Sequence, residues 1–336
     1  MLRNRIKDQG ANIMKNKQTE CEHSITSSLT SHNRGGAILA TFLVSLLALA
    51  GNTARGEEHV AGFAYDDFSG YTAATSINGQ SLSKTGFASS AWTDPYDWPL
   101  KAQSSDLGFP EFLVKTNLAG SVVRSKGYKT SAKRELDDTT VPYTGTFYYR
   151  FVFRQSEPGE DYTWCNQDSW NHSGNTLGFS NTSTVNQNFY ETFNNQKTIG
   201  AGPMPDANNS AIGIYLRTGW SKRTELVAPE NYEYGTDYLV CVEVTLSDTG
   251  DETFRAFAVK VADFTTSMLR NPDWIDCTAC NTDIVSASAP FKWVTFATHA
   301  SSDPNATIVF DEFAMGPTLT DIFPRKSSGG LVIRIR

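Results

Sequence analysis

Read as a pattern of apolar and polar positions, the chain changes character near residue 58. Beyond it, short runs rich in aromatic and β-branched residues recur between clusters of Gly, Asn, Asp, Ser and Pro. The clearest are TFYYRFVFR (146–154), AIGIYLR (211–217), YLVCVEVTL (238–246), TFRAFAVKV (253–261), FKWVTFATH (291–299) and TIVFDEF (307–313). Successive side chains of a strand point to opposite sides. Phe147, Tyr149, Phe151 and Phe153 therefore share one face, as do Ile212, Ile214 and Leu216, and Tyr238, Val240, Val242 and Val244. LSDTGDETF (246–254) carries the turn residues of a hairpin. No long stretch beyond residue 58 holds the 3.6-residue period of an amphipathic helix. One-sided strands spread over most of the chain predict an all-β, two-sheet antiparallel jelly-roll sandwich. The reading gives one domain, 58–324, with a loop-rich insertion near 155–210 and a short basic and apolar tail, 325–336.

The first fifty residues follow a different pattern. AILATFLVSLLALA (37–50) is an uncharged apolar run, preceded by Lys15, Lys17 and Arg34 and ending in a small-x-small triplet. Spanning a bilayer takes about 20 residues, so the run reads as a secretory signal cleaved after Ala50, with an uncleaved anchor as the alternative. Met1 and Met14 both remain open as starts. The expected location is secreted, extracellular or cell-surface, with the periplasm also open.

Loss of residues 1–50 takes six Lys/Arg and three Asp/Glu from the 29 and 36 of the whole chain, leaving 23 and 33. A net charge of that sign excludes the basic surface that nucleic-acid binding rests on. Of the five cysteines, Cys165, Cys241, Cys277 and Cys280 stay in the exported part. In an oxidising compartment they are candidates for one or two disulfides, in any of three pairings. Cys277-Thr-Ala-Cys280 sits in a polar stretch that lacks the strand-to-helix setting of a redox motif. Only His59, His172 and His299 remain to complete a zinc site, none at ligand spacing.

The segment YDDFSGYTAATSINGQSLSKTGFASSAW (65–92) resembles the opening of secreted bacterial proteins with a concanavalin A-like, laminin-G-like jelly roll. The matching positions are Asp67-Phe68, Tyr71, Ala73, Asn78-Gly79, Gly86-Phe87 and Trp92, and Phe310-Asp311-Glu312 with Gly316 resembles the closing strand. The resemblance implies that first and last strands pair. That would bring Asp66 and Asp67 close to Asp311 and Glu312, where a structural Ca²⁺ would offset the crowded charge. The alternative is that these acids cap strand ends and face water. The resemblance does not decide activity, since the family spans glycan binding, adhesion and hydrolysis.

Hydrolases of this fold class use a Glu-x-Asp-x-x-Glu strand. The nearest match, Glu135-Leu136-Asp137-Asp138-Thr139-Thr140, lacks the final acid, so no catalytic residue is assigned. Opposite the apolar stripes stand Tyr148, Arg150, Tyr215, Arg217 and Glu243. On a concave sheet they would offer aromatic surfaces and charged partners to sugar hydroxyls or uronates; on a convex sheet they would only be solvated. DYTWCNQDSWNHSGN (161–175) adds Trp164 and Trp170 among hydrogen-bonding residues, as a carbohydrate subsite or as packing over the core. The chain is expected to be a non-catalytic module binding a polysaccharide or cell-surface glycan, or serving adhesion, without a membrane span after signal cleavage. A glycoside hydrolase or polysaccharide lyase, and a purely structural surface protein, are the alternatives.

Overall fold

The computed structural model describes residues 64–80, 82–88, 91–93, 100–113, 120–125, 130–137, 145–159, 174–181, 198–206, 211–218, 222–247, 250–285, 290–298 and 306–325. The signal reading, Trp164, Cys165, Trp170 and residues 326–336 lie outside these. All the described residues belong to one compact unit, 57–336, and among them no helix is long and apolar enough to cross a membrane.

Two antiparallel sheets make up this unit. Most of the first comes from β2 (Lys101–Gln103), β3 (Ser121–Ser125), β5 (Gly145–Gln155), β10 (Asp237–Leu246), β11 (Thr253–Lys260), β12 (Ile275–Asp276) and β14 (Thr307–Gly316). Its order is β12-β11-β10-β5-β14-β3-β2, and β1 (Ala64–Asp66) adds an eighth strand against β14. The second sheet comes from β4 (Thr130–Glu135), β6 (Asn175–Ser180), β7 (Thr198–Pro205), β8 (Ile212–Arg217), β9 (Arg223–Val227) and β13 (Trp293–Thr298), in the order β4-β13-β6-β7-β8-β9. The expected two-sheet jelly-roll sandwich is what forms. First and last strands pair as expected, with Tyr65 opposite Ala314 and Asp66 opposite Phe313. The 246–254 hairpin joins β10 to β11.

The apolar stripes read from the sequence meet in the middle. Phe147, Tyr149, Phe151, Phe153, Val240, Val242 and Phe310 of one sheet pack against Leu177, Phe179, Ile214, Leu216, Val294 and Phe296 of the other. Rings lock the layers together: Phe296 lies 5.0 Å from Phe310, and Tyr149 meets Phe179 edge-on at 4.9 Å.

The stretch 155–210 is more than an insertion. It supplies β6 and β7, two central strands of the six-stranded sheet. NTLGFS and TIGAGPMP are poor in β-branched residues and rich in Gly and Pro, so pairing with neighbours rather than propensity makes them strands.

The outward face of the eight-stranded sheet is covered as well. A second apolar layer joins Val152, Leu239, Cys241 and Ala314 to Leu107, Leu113, Phe264, Ile322 and Phe323. These last residues come from the 104–113 segment, the stretch just ahead of helix α1 (Thr266–Arg270), and the chain at helix α2 (Leu319–Ile322).

Cys241, Cys277 and Cys280 are free, buried thiols, which corrects the disulfide expectation for these three. Cys241 points into the outward layer, whereas Cys277 and Cys280 face the inner core, so the sheet itself separates the first from the other two. Burial raises the pKa of all three thiols, to about 12 at Cys277 and about 11 at Cys280.

Candidate functional site

The four acids of the expected cation site fall on opposite sides of the eight-stranded sheet. Asp66 points inward from β1, where Tyr71 Oη donates to Oδ2 at 2.7 Å and Arg134 Nη1 at 3.1 Å. Asp67 receives Lys84 Nζ at 2.6 Å. On β14 the register shifts between Asp311 and Ala314, and Glu312 sits in this bulge with φ 54°. A bulge inserts an extra residue and re-aims its neighbours; here it turns both Asp311 and Glu312 outward. Asp311 accepts the Leu107 and Glu312 amides, while Glu312 accepts Tyr65 Oη and Arg150 Nη2, each at 3.4 Å. Cations of the chain itself already stand at Asp66, Asp67 and Glu312, so this set does not fit a shared Ca²⁺. Among the described residues, no group of three His, Cys, Asp or Glu comes together as a metal-ligand set.

The five strand residues chosen for sugar contact do point away from the core, but in two directions. Tyr148, Arg150 and Glu243 lie on the eight-stranded sheet, with Tyr148 opposite Glu243 and Arg150 opposite Cys241. Tyr215 and Arg217 lie on the six-stranded sheet. One ligand cannot be held by all five.

Arg150 is also unavailable to a ligand. It is 0% exposed, donates Nε to the Ile322 carbonyl and Nη1 to the Glu312 carbonyl, and stacks under Phe109 with its guanidinium carbon 4.5 Å from the ring centre. Glu243 is clamped by Arg255, Nε to Oε1 at 2.7 Å and Nη2 to Oε2 at 2.6 Å, and Arg255 leans on Trp274. Burial first, then the hydrogen bond to Glu243, raise the Tyr148 pKa to about 12. These groups satisfy one another.

The outward face of the six-stranded sheet is built otherwise. Strand register lines up Lys133, Thr295, Gly178, Gly200, Arg217 and Arg223 in one row across all six strands. At about 4.8 Å between strands the row runs roughly 24 Å, room for several sugar rings in line. Its middle, Gly178 and Gly200, carries no side chain. At Gly178 pairing forces this, since a Cβ there would strike the Ile199 carbonyl. Thr176, Thr198 and Arg217 are buried although they face outward.

Cations flank this bare floor. Lys133, 8% exposed, makes no ion pair among the described residues; its Nζ stands 4.4 Å over the Trp293 ring. Burial lowers its pKa, partly offset by Glu135. Arg217 is 3% exposed, and burial together with the like charge of Arg223 pushes its pKa down. A guanidinium stays protonated in proteins. Arg223 stacks on Tyr215, whose hydroxyl donates to Glu225 at 3.1 Å. Thr295 Oγ1, between Lys133 and Gly178, is buried with no hydrogen-bond partner among the described residues. A buried hydroxyl left unpaired is costly.

Sequence reasoning found Tyr215 and Arg217 here and missed Lys133, Thr295, Trp293 and the glycines. The parity of FKWVTFATH, which sends Val294 and Phe296 inward and Trp293 and Thr295 outward, was the available signal.

No protein-family model matches the chain, and no curated protein matches it in sequence. Solved structures do resemble it. An endo-β-1,4-glucuronan lyase from the fungus Trichoderma reesei shares 13% identity with a TM-score of 0.38, over 75% of this chain and 99% of that one. The T. cruzi calreticulin globular domain shares 11% with a TM-score of 0.37, over 69% and 85%. A marine alginate lyase from Aplysia kurodai shares 6% with a TM-score of 0.36, over 64% and 86%. All three are concanavalin A-like jelly rolls. With every TM-score below 0.5, these likenesses carry no argument about activity.

Proposed function

We propose that this chain is an exported protein that binds a carboxylate-bearing polysaccharide on the outward face of the six-stranded sheet. The observation that carries this reading is the row from Lys133 to Arg223: the buried cation Lys133 facing outward, Gly178 and Gly200 in the middle of the row, and beside Lys133 a hydroxyl with no hydrogen-bond partner among the described residues. A uronate polymer supplies a carboxylate for Lys133, hydroxyls for Thr295, and a ring face for Trp293. Export rests on the apolar run 37–50 and its small-residue end; a secreted protein whose first residue is Gly51 is the expected result of N-terminal sequencing.

The test is calorimetric titration with a polyuronate and with a neutral glucan of equal length. The polyuronate should bind, weaken as salt rises, and bind at least tenfold less to Lys133→Met. Equal binding of both polymers, or of neither, overturns the reading.

A second reading is a lyase on the same face, favoured by the burial-lowered amine of Lys133, since a general base works best when its pKa lies near the operating pH. The amine would take the proton beside the uronate carboxyl, the C–O bond to the leaving sugar would break as the double bond forms, and the leaving oxygen would take up a proton from the resulting ammonium or from water, giving one unsaturated and one ordinary chain end. Ultraviolet absorbance of the unsaturated product, present in the native chain and absent in Lys133→Met, separates lyase from binder.

A further inference from the structure

Beyond the described residues lies the segment KSSGGLVIRIR (326–336): a polar, glycine-rich stretch followed by Leu331, Ile333 and Ile335 alternating with Val332, Arg334 and Arg336. That alternation is the signature of a strand with one apolar face. A place for it exists at the other edge of the eight-stranded sheet. β12 pairs with β11 only at Arg255 and Ala256. Beyond Ala256, among the described residues, no strand pairs with the outer edge of β11. An apolar cavity of about 260 Å³ opens here, lined by Phe257, Ala258 and Val259 of β11 with Met268, Pro272, Asp273 and Ile275. Cavities of about 150 Å³ already hold a benzene ring, so this one takes more than one aliphatic side chain. An unpaired strand edge beside apolar surface is the usual setting for an added strand.

We propose that residues 331–336 of the same chain dock along this edge, seating their apolar face in the cavity. Reach favours this occupant. Arg325 is bridged to Leu113, and two residues before it Phe323 packs on Phe264 at 5.4 Å, which in turn stacks on Phe257 of the cavity wall at 6.2 Å. The five residues 326–330 extend up to about 17 Å at about 3.4 Å each, enough for that path. Charge favours it too. Asp273 on the cavity rim and Asp276 of β12 are both exposed, and Arg334 and Arg336 would arrive beside them.

Hydrogen exchange on the full chain tests this. In Ile333→Asp/Ile335→Asp, amides of residues 257–262 should exchange at least tenfold faster than in the native chain, while those of β5 stay unchanged. Added peptide SGGLVIRIR should restore the slow exchange. If the double variant destabilises the whole sheet, Arg334→Glu/Arg336→Glu should raise exchange at 257–262 alone. Equal exchange in native and variant chains overturns the proposal. So does protection that is lost on dilution of the native protein, which would assign the edge to a second copy.

Discussion

The two outward faces of this sandwich began with the same kind of sequence, strands whose polar residues alternate with apolar ones, and ended as opposites. On the eight-stranded sheet, the 104–113 segment and the chain around α2 close over the polar residues, and Arg150 becomes a structural cation between Glu312 and two rings. On the six-stranded sheet, glycines leave the middle of the row without side chains, and Lys133 makes no ion pair among the described residues. The lesson is that an outward-facing arginine on a strand is not a surface arginine until the second layer of the fold is known.

The sharpest way to break this contrast is Arg150→Ala. It removes the Arg150 partner of the buried Glu312 carboxylate, which sits in a left-handed backbone position, and removing one partner of a buried pair costs about 3–5 kcal/mol. Thermal unfolding should show that loss, and Arg150→Met/Glu312→Gln should recover part of it. An unchanged melting temperature would mean the face is open after all.

Lys133→Met should do the reverse, lowering polyuronate affinity tenfold, about 1.4 kcal/mol, while stability holds or rises because a buried charge is gone.

The pH dependence sharpens the same point. Burial sets the folded pKa of Lys133 below the about 10.4 of an unfolded chain. Between those two values the unfolded chain holds the proton more tightly, so this residue makes stability rise with pH. Polyuronate binding should fall across the same window as the cation is lost. Opposite slopes in unfolding and titration experiments, both absent in Lys133→Met, are the expected result.

The smallest effect belongs to Glu243→Gln. Arg255 is 44% exposed, and exposed pairs contribute about 0–1 kcal/mol. Stability should barely move, while the Tyr148 phenol, raised to about 12 partly through Glu243, should titrate lower in a spectrophotometric experiment.

What the sequence made legible was parity. The inward stripes of β5, β8 and β10 were read correctly, and Tyr148, Arg150, Tyr215, Arg217 and Glu243 do face outward. Parity does not say which sheet a strand joins, so residues of opposite faces were combined into one site. β6 and β7 stayed hidden because glycines and prolines carry no stripe, although their bareness is what makes the floor. The acids near both chain ends read as a cation site because nothing in the spacing of 65–92 shows that Lys84 turns back onto Asp67, because Arg134, which pairs with Asp66, comes from distant β4, and because a single bulge turns Asp311 and Glu312 to the other side of the sheet.

The position of β14 has a consequence for how the molecule is made. Among the described residues it is the last strand in chain order, yet it lies in the middle of its sheet, between β5 and β3 and against β1. A ribosome must therefore deliver nearly every other strand before the sheet's centre can close, and the β1–β14 contact joins residues some 250 positions apart. Long-range pairing of this kind slows folding. The centre of the eight-stranded sheet cannot close until residue 316 has emerged.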